Sequence, residues 1–201
     1  MKKLFTVLVV IMLVASFAVA QDAAVTGVGP KAQLNMATLS GDNTDDAKMA
    51  LKFGVGGFVT VSLIPELDLQ GEVLFNQKGT DSDLSDDAGL TLSYIDINLL
   101  AKYPIAIEGS DIKPAIFAGP QVGILVSASS DPGGLDEKDN FESLDYGLVV
   151  GAGVTIPIED GAFVADARFN LGLANILKVG GSVYSVQNQV ISLSVGYAFK
   201  P

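Results

Sequence analysis

The chain has 201 residues, 12 basic and 23 acidic side chains, a formal charge of −11, 49% hydrophobic residues and a mean hydropathy of +0.43. It contains neither cysteine nor histidine, which excludes a disulfide framework and thiolate metal centres and removes the commonest general base and transition-metal ligand. The acidity argues against nucleic acid and against an anionic membrane surface as partners.

Lys2 and Lys3, the apolar run Leu4 to Val14 and the small residues of Ala18-Val19-Ala20 predict a secretory signal peptide over residues 1–20, cleaved before Gln21. The apolar run is short for a spanning helix and no basic stop-transfer cluster follows it, which weighs against an uncleaved anchor. No cysteine follows the cleavage point, so the chain is not a lipoprotein. Residues 21–201, about 180 in number, make one domain by the usual length relation. Without Lys2 and Lys3 the formal charge is −13. No later run approaches the roughly 18 to 20 apolar residues of a membrane helix, yet hydropathy is high. A membrane barrel gives this combination, because its lipid-facing residues alternate with polar ones.

Eight segments carry that two-residue alternation. From Gly27 to Leu39, Val28, Pro30, Ala32, Leu34 and Met36 oppose Lys31, Gln33 and Asn35. From Leu51 to Leu63, Leu51, Phe53, Val55, Val59 and Val61 oppose Lys52, Gly54, Gly56, Phe58 and Thr60. From Leu67 to Phe75, Leu67, Leu69, Val73 and Phe75 oppose Asp68, Gln70, Glu72 and Leu74. From Thr91 to Tyr103, Ile95, Ile97, Leu99 and Tyr103 oppose Tyr94, Asp96, Asn98, Leu100 and Lys102. From Ile112 to Val126, Ile116, Ala118, Val122 and Ile124 oppose Lys113, Phe117, Gln121 and Gly123. From Leu144 to Ile156, Tyr146, Leu148, Val150 and Val154 oppose Asp145, Gly147, Gly151 and Gly153. From Phe163 to Leu173, Phe163, Ala165, Ala167, Phe169 and Leu171 oppose Asp166, Arg168 and Asn170. From Gln189 to Phe199, Ile191, Leu193, Val195, Tyr197 and Phe199 oppose Ser192, Ser194 and Gly196. At about 9 to 13 residues each, these are strands long enough to cross a bilayer at a tilt near 45°.

Short connections at Ile64-Pro65-Glu66, Pro104 to Asp111 and Glu159-Asp160-Gly161 alternate with longer ones at Gly41 to Ala50, Gln77 to Leu90, Ser127 to Ser143 and Asn175 to Asn188. The short set reads as periplasmic turns and the long set as external loops, with Gly180-Gly181 as a hairpin tip. The predicted fold is an all-β, eight-stranded antiparallel transmembrane up-and-down β-barrel in the outer membrane of a Gram-negative bacterium, surrounded by outer-membrane lipid and lipopolysaccharide.

Charged residues on the polar face number five of each sign: Lys31, Lys52, Lys102, Lys113 and Arg168 against Asp68, Glu72, Asp96, Asp145 and Asp166. Isolated charges in a narrow lumen are costly and paired ones tolerable, so the tally predicts an internal salt-bridge network. Eight strands leave an interior that side chains can fill, and Phe58, Leu74, Tyr94 and Phe117 add bulk, which predicts a plugged lumen; a small cation-selective channel is the alternative. Asp68 and Glu72 share a face, but cations are available to neutralise them and no histidine is present, so no catalytic residue is assigned. No phosphate-binding glycine loop and no cofactor is indicated.

The external loops are acidic: Asp42, Asp45 and Asp46, then Asp81, Asp83, Asp86 and Asp87, then Asp131, Asp136, Glu137, Asp139 and Glu142. Residues 81–87 lack the Gly and distal Glu of an EF-hand, which leaves Asp81, Asp83, Asp86 and Asp87 as weak candidates for divalent-ion contact. The loops are also candidate contacts for a protein partner.

The opening Gly27 to Gly41, Val73-Leu74-Phe75-Asn76-Gln77-Lys78-Gly79, Ala118-Gly119-Pro120-Gln121-Val122-Gly123 and Arg168-Phe169-Asn170-Leu171-Gly172-Leu173 resemble the PorT-like outer-membrane β-barrel family common in Bacteroidetes. The resemblance covers the whole mature chain. It implies an eight-stranded outer-membrane barrel without enzymatic activity, in a family with some members tied to protein secretion. The final strand, with Phe199, Tyr197, Val195, Leu193 and Ile191 at every second position, fits recognition by the barrel assembly machinery, although Lys200 and Pro201 follow the aromatic residue.

The rival from another class is a water-soluble periplasmic barrel, lipocalin-like, with the apolar face inward around a lipophilic ligand. The bulk of the aliphatics, the glycine and balanced charge of the opposite face, and aromatics near segment ends favour lipid. Phe53, Phe75, Tyr103, Tyr146, Phe163 and Tyr197 are the candidate interfacial girdles.

Overall fold

A computed structural model describes residues 24–42, 44, 47–82, 89–131, 134–178 and 184–200. The predicted signal peptide, Asp45, Asp46, Asp83, Asp86, Asp87 and the Gly180-Gly181 tip lie outside the described residues. Eight long strands form the wall: β1 (Ala24–Gly41), β2 (Ala50–Ile64), β3 (Leu67–Ser82), β4 (Gly89–Pro104), β5 (Lys113–Asp131), β6 (Leu144–Ile158), β7 (Gly161–Gly172) and β8 (Val186–Phe199). Each pairs antiparallel with its chain neighbours, and β8 returns to β1 in a ladder from Val28↔Phe199 to Gly41↔Val186, which closes the sheet. Two short ribbons, Ala47–Lys48 on β3 and Leu135–Asp136 on β5, extend the wall at the outer end.

The register sets the strand tilt. Followed from Lys31 through Gly56, Leu74 and Asp96, the ladder reaches Gly123; followed the other way through Gly196, Val164 and Thr155, it reaches Lys113, ten residues lower on the same strand. A displacement of that size around eight strands tilts them by roughly 40° and leaves an interior just wide enough for side chains to fill. It also decides which residues share a level, bringing Glu72 of β3 and Arg168 of β7, on opposite walls, to the height of Lys31.

Burial follows the alternation. Lys31, Gln33 and Asn35 are buried in the lumen, whereas Leu34, Val55, Val73, Ile116, Val150 and Leu193 stand exposed on the outer wall. The lipocalin-like arrangement is thereby overturned: the apolar set faces outward and the charges face in. On the outer wall, Phe53 packs against Phe75 with ring centroids 6.3 Å apart toward the external end. At the other end Phe163, Tyr197 and Phe199 stack edge to face at 5.5 and 4.8 Å. These two groups bracket the apolar band, as interfacial aromatics do.

Seven of the eight strands run longer than the predicted 9 to 13 residues, at 14 to 19, while β7 has 12. The extra length rises above the band on the external side, so Gln77 and Lys78, read from sequence as loop, belong to β3. A bulge near Val126, where Ser93 faces Ser127 but Tyr94 faces Leu125, resets the alternation of β5, so that beyond Leu125 the buried residue is Ala128 and Ser127 is exposed. Glycine in the wall makes room for the side chain of its partner on the adjacent strand: a Cβ on Gly151 would meet Phe117 Cζ at 2.5 Å, and one on Gly123 would meet Asp96 Oδ1 at 2.5 Å.

Val150 lies between the aromatic groups on the lipid side, while Val149 is fully buried against Leu100 and Phe117. Val150→Arg is expected to destabilise by about 2–4 kcal/mol, as charges at the bilayer midplane do. Val149→Ala, which only trims a lumen side chain, should cost about 1–2 kcal/mol. Urea unfolding in phosphatidylcholine vesicles measures both, and a larger loss for Val149→Ala would contradict this placement.

Candidate functional site

Among the described residues the lumen concentrates the charged and polar side chains, and it is organised in levels. At the lower level Glu72 is the hub. Lys31 Nζ lies 2.9 Å from Glu72 Oε1 and 2.6 Å from Asp166 Oδ2. Arg168 donates from Nη1 to Glu72 Oε2 at 2.6 Å and from Nη2 to Oε1 at 3.1 Å, and from Nε and Nη2 to the two oxygens of Asp166 at 2.8 and 3.0 Å. Its guanidinium fork thus engages two carboxylates at once, a geometry lysine cannot supply. Gln70 and Asn98 donate to the remaining lone pairs of Glu72 at 2.7 and 2.8 Å. The rings of Phe117 and Phe58 face Arg168 and Lys31, with centroids 5.2 and 6.0 Å away. Because β3 and β7 are opposite strands, the Arg168–Glu72 contact crosses the full width of the barrel.

A second charged level lies nearer the external end. Lys78 Nζ is 3.2 Å from Asp96 Oδ1 and 3.2 Å from Asp145 Oδ2. Asn76 and Gln121 donate to Asp96 Oδ2 at 2.7 and 2.8 Å, and Asn188 donates to Asp145 Oδ2 at 3.0 Å. Gln33 and Asn35 both donate to Asn76 Oδ1, at 2.9 and 2.6 Å, linking β1 to this level. The Tyr94 ring lies 4.7 Å from the Lys78 ammonium.

Above it sits an apolar cluster of Leu92, Tyr94, Leu125, Ala128, Phe141, Ile176 and Val186. Phe141 and Ile176 come from the connections 134–143 and 173–178. These are tied together by Glu142 N–H to Ile176 C=O at 2.8 Å and Lys178 N–H to Asn140 C=O at 2.9 Å. Two external connections therefore turn into the barrel mouth.

The structure distributes the ten charged residues singled out from sequence. Lys31, Glu72, Asp166 and Arg168 meet in the lower level, and Asp96 and Asp145 meet in the upper one around Lys78. Lys52 lies at the external end, 3.0 Å from Thr91 Oγ1 and 3.9 Å from Asp81 Oδ1. Lys102 donates to Gln70 Oε1 at 2.9 Å, and Asp68 is its cross-strand register partner. Lys113 is exposed at the periplasmic mouth. Among the described residues Lys102, Lys113 and Asp68 enter no ion pair, so the charges form two groups instead of one. Sequence reasoning missed Lys78, although Glu72, Leu74, Asn76 and Lys78 continue one even-numbered inward face. Of the loop acids named for divalent ions, Asp81 is the described one, and it sits beside Lys52. Among the described residues no group of three or more acidic side chains is placed to hold a metal.

An apolar outer belt around a polar, ion-paired lumen defines a membrane β-barrel whose strands cross the lipid bilayer. The chain belongs to the family of the outer membrane protein beta-barrel domain, whose model matches residues 20–178. It is similar to neisserial surface protein A, with 20% identity over 88% of this chain and 99% of that one and a TM-score of 0.56. It is also similar to Ail, the attachment invasion locus protein of Yersinia pestis, with 16% identity over 87% and 99% of the two chains and a TM-score of 0.50. At these identities the likeness is one of fold. Among curated protein sequences none matches. The protein is a small barrel of the outer membrane of a Gram-negative bacterium.

Arg168→Ala leaves Lys31 alone to neutralise Glu72 and Asp166, and is expected to cost about 3–5 kcal/mol of stability. Replacing the cross-barrel pair together, as Glu72→Leu with Arg168→Met, keeps the Lys31–Asp166 contact and should cost markedly less than the single change. Denaturant titration of the two variants in vesicles makes the comparison; an equal or larger loss in the double variant would refute it.

Proposed function

We propose that this is a PorT-like, non-enzymatic barrel whose lumen is plugged and which works through its external surface, as a structural, adhesion or secretion-accessory component. The observation that carries the reading is the Arg168–Glu72 contact spanning opposite walls, with a second ion-paired level and an apolar cluster stacked above it. Water and ions passing along the axis would have to break both levels, and each break leaves a buried charge without its partner. The same residues argue against catalysis: the carboxylates of Glu72 and Asp96 are occupied by fixed donors, which leaves them poorly placed to exchange protons with a substrate.

External action is supported by the acidic connections, which carry Asp42, Asp136, Glu137, Asp139 and Glu142 on a surface held in shape by the barrel rim. Asp42 accepts the Ser185 N–H at 2.9 Å, joining the first and last of these connections. In this reading export follows cleavage of residues 1–20, the β8 pattern ending in Phe199 engages the assembly machinery, and lipopolysaccharide surrounds the external half.

Purified protein in planar bilayers is expected to show no steady conductance in potassium chloride. Lys78→Ala together with Arg168→Ala, which unlocks both levels, should produce a measurable leak if the variant remains folded by heat-modifiable gel migration. A regular cation-selective conductance in the unmutated protein would make it a channel and overturn this proposal.

A further inference from the structure

Below the lower charged level the barrel opens toward the periplasm in a vestibule of about 670 Å³. This volume is within the range of small-molecule sites, roughly 300 to 1,000 Å³. Its apolar lining includes Phe58 of β2 and Ile105, Ile107 and Ile112 of the connection between β4 and β5. Those isoleucines remain 42, 50 and 45% exposed, so no described residue covers them fully. Apolar side chains with a few charged groups among them are the usual lining of a small-molecule site.

The charge of the vestibule runs against that of the protein. In a chain with 23 acidic and 12 basic residues, its lining includes Lys102, Lys113 and Lys200, with Asp68 as the one carboxylate side chain among the described residues that line it. Among the described residues Lys102 Nζ has Gln70 Oε1 as its hydrogen-bond partner, and an ammonium with three donors has capacity left for a ligand in this space. Lys113 stands at the rim, and among the described residues neither lysine is ion-paired.

We infer that the vestibule binds an amphiphile with a single anionic head and a short apolar tail. The head lies between Lys102 and Lys113, and the tail lies along Phe58, Ile105, Ile107 and Ile112. The site is on the periplasmic side of the Lys31–Glu72–Arg168–Asp166 level, so occupancy requires no passage through the lumen and is independent of whether the barrel conducts.

Calorimetric titration of decanoate into the protein in phosphatidylcholine nanodiscs, with empty nanodiscs as the blank, tests this. Saturable binding beyond partition into empty discs is expected, with decanol, which lacks the charge, binding more weakly. Lys102→Gln with Lys113→Gln should weaken decanoate by about tenfold or more, the scale of a lost charge-assisted contact. Ile107→Ser should weaken decanoate and decanol alike. If the double lysine variant fails to show the folded gel band, Lys113→Glu alone, at the exposed rim, carries the same expectation. Discs doped with phosphatidylglycerol distinguish the source of the head: competition with decanoate assigns it to a lipid headgroup, and its absence to a free amphiphile, the class of ligand being the same. No saturable binding, or unchanged affinity in the folded lysine variant, would overturn the inference.

Discussion

Every backbone polar group inside a hydrocarbon layer must find a partner within the protein, and the ladder between β1 and β8 is where this chain meets that demand. An open sheet would leave two rows of unpaired N–H and C=O groups in lipid; closure removes both edges. Closing eight strands in turn requires a definite stagger, here the ten residues separating Gly123 from Lys113 on β5. The levels of the lumen follow from that stagger. A smaller or larger displacement would carry Glu72 past Arg168 and leave two buried charges facing apolar walls.

Closure also explains why the interior can be charged at all. A lumen this narrow has little room for water, so each ion must be satisfied by protein groups. Glu72 receives donors from β1, β3, β4 and β7, through Lys31, Gln70, Asn98 and Arg168. Asp96 receives amide donors from Asn76 and Gln121 in addition to the nearby Lys78. Convergence from several strands ties the walls together across the axis, so the polar contacts rigidify the barrel as well as fill it.

Space for these long side chains comes from what the facing positions lack. Gly151 lets the Phe117 ring lie across β6 beneath Arg168, and Gly123 leaves room for Asp96 between β5 and its neighbours. On the outer wall the aromatic groups at the two ends fix the depth at which this packed cylinder sits in lipid. The periplasmic vestibule is a part of the lumen that this packing does not fill, and its described lining is basic and apolar in an otherwise acidic chain.

Alternation in the sequence was enough to determine that the chain folds as strands, which residues share a face, and that eight segments make a single barrel, because side chains on a strand repeat every two residues whatever their neighbours do. Composition went further: glycine and balanced charge on one face, large aliphatics on the other, put lipid outside. What local pattern could not supply was the vertical register. Lys31, Glu72, Asp166 and Arg168 were legible as lumen residues, but their meeting at one level depends on a stagger summed around the whole circumference. Lys78 was hidden because β3 continues above the membrane into sequence as polar as a loop, and only pairing with β4 reveals it as strand. Lys113 reads as inward by parity, yet at the end of a strand inward means the open mouth. The Phe141 and Ile176 contacts were likewise decided by tertiary structure, since nothing periodic in either connection records that they turn into the barrel and meet over Tyr94.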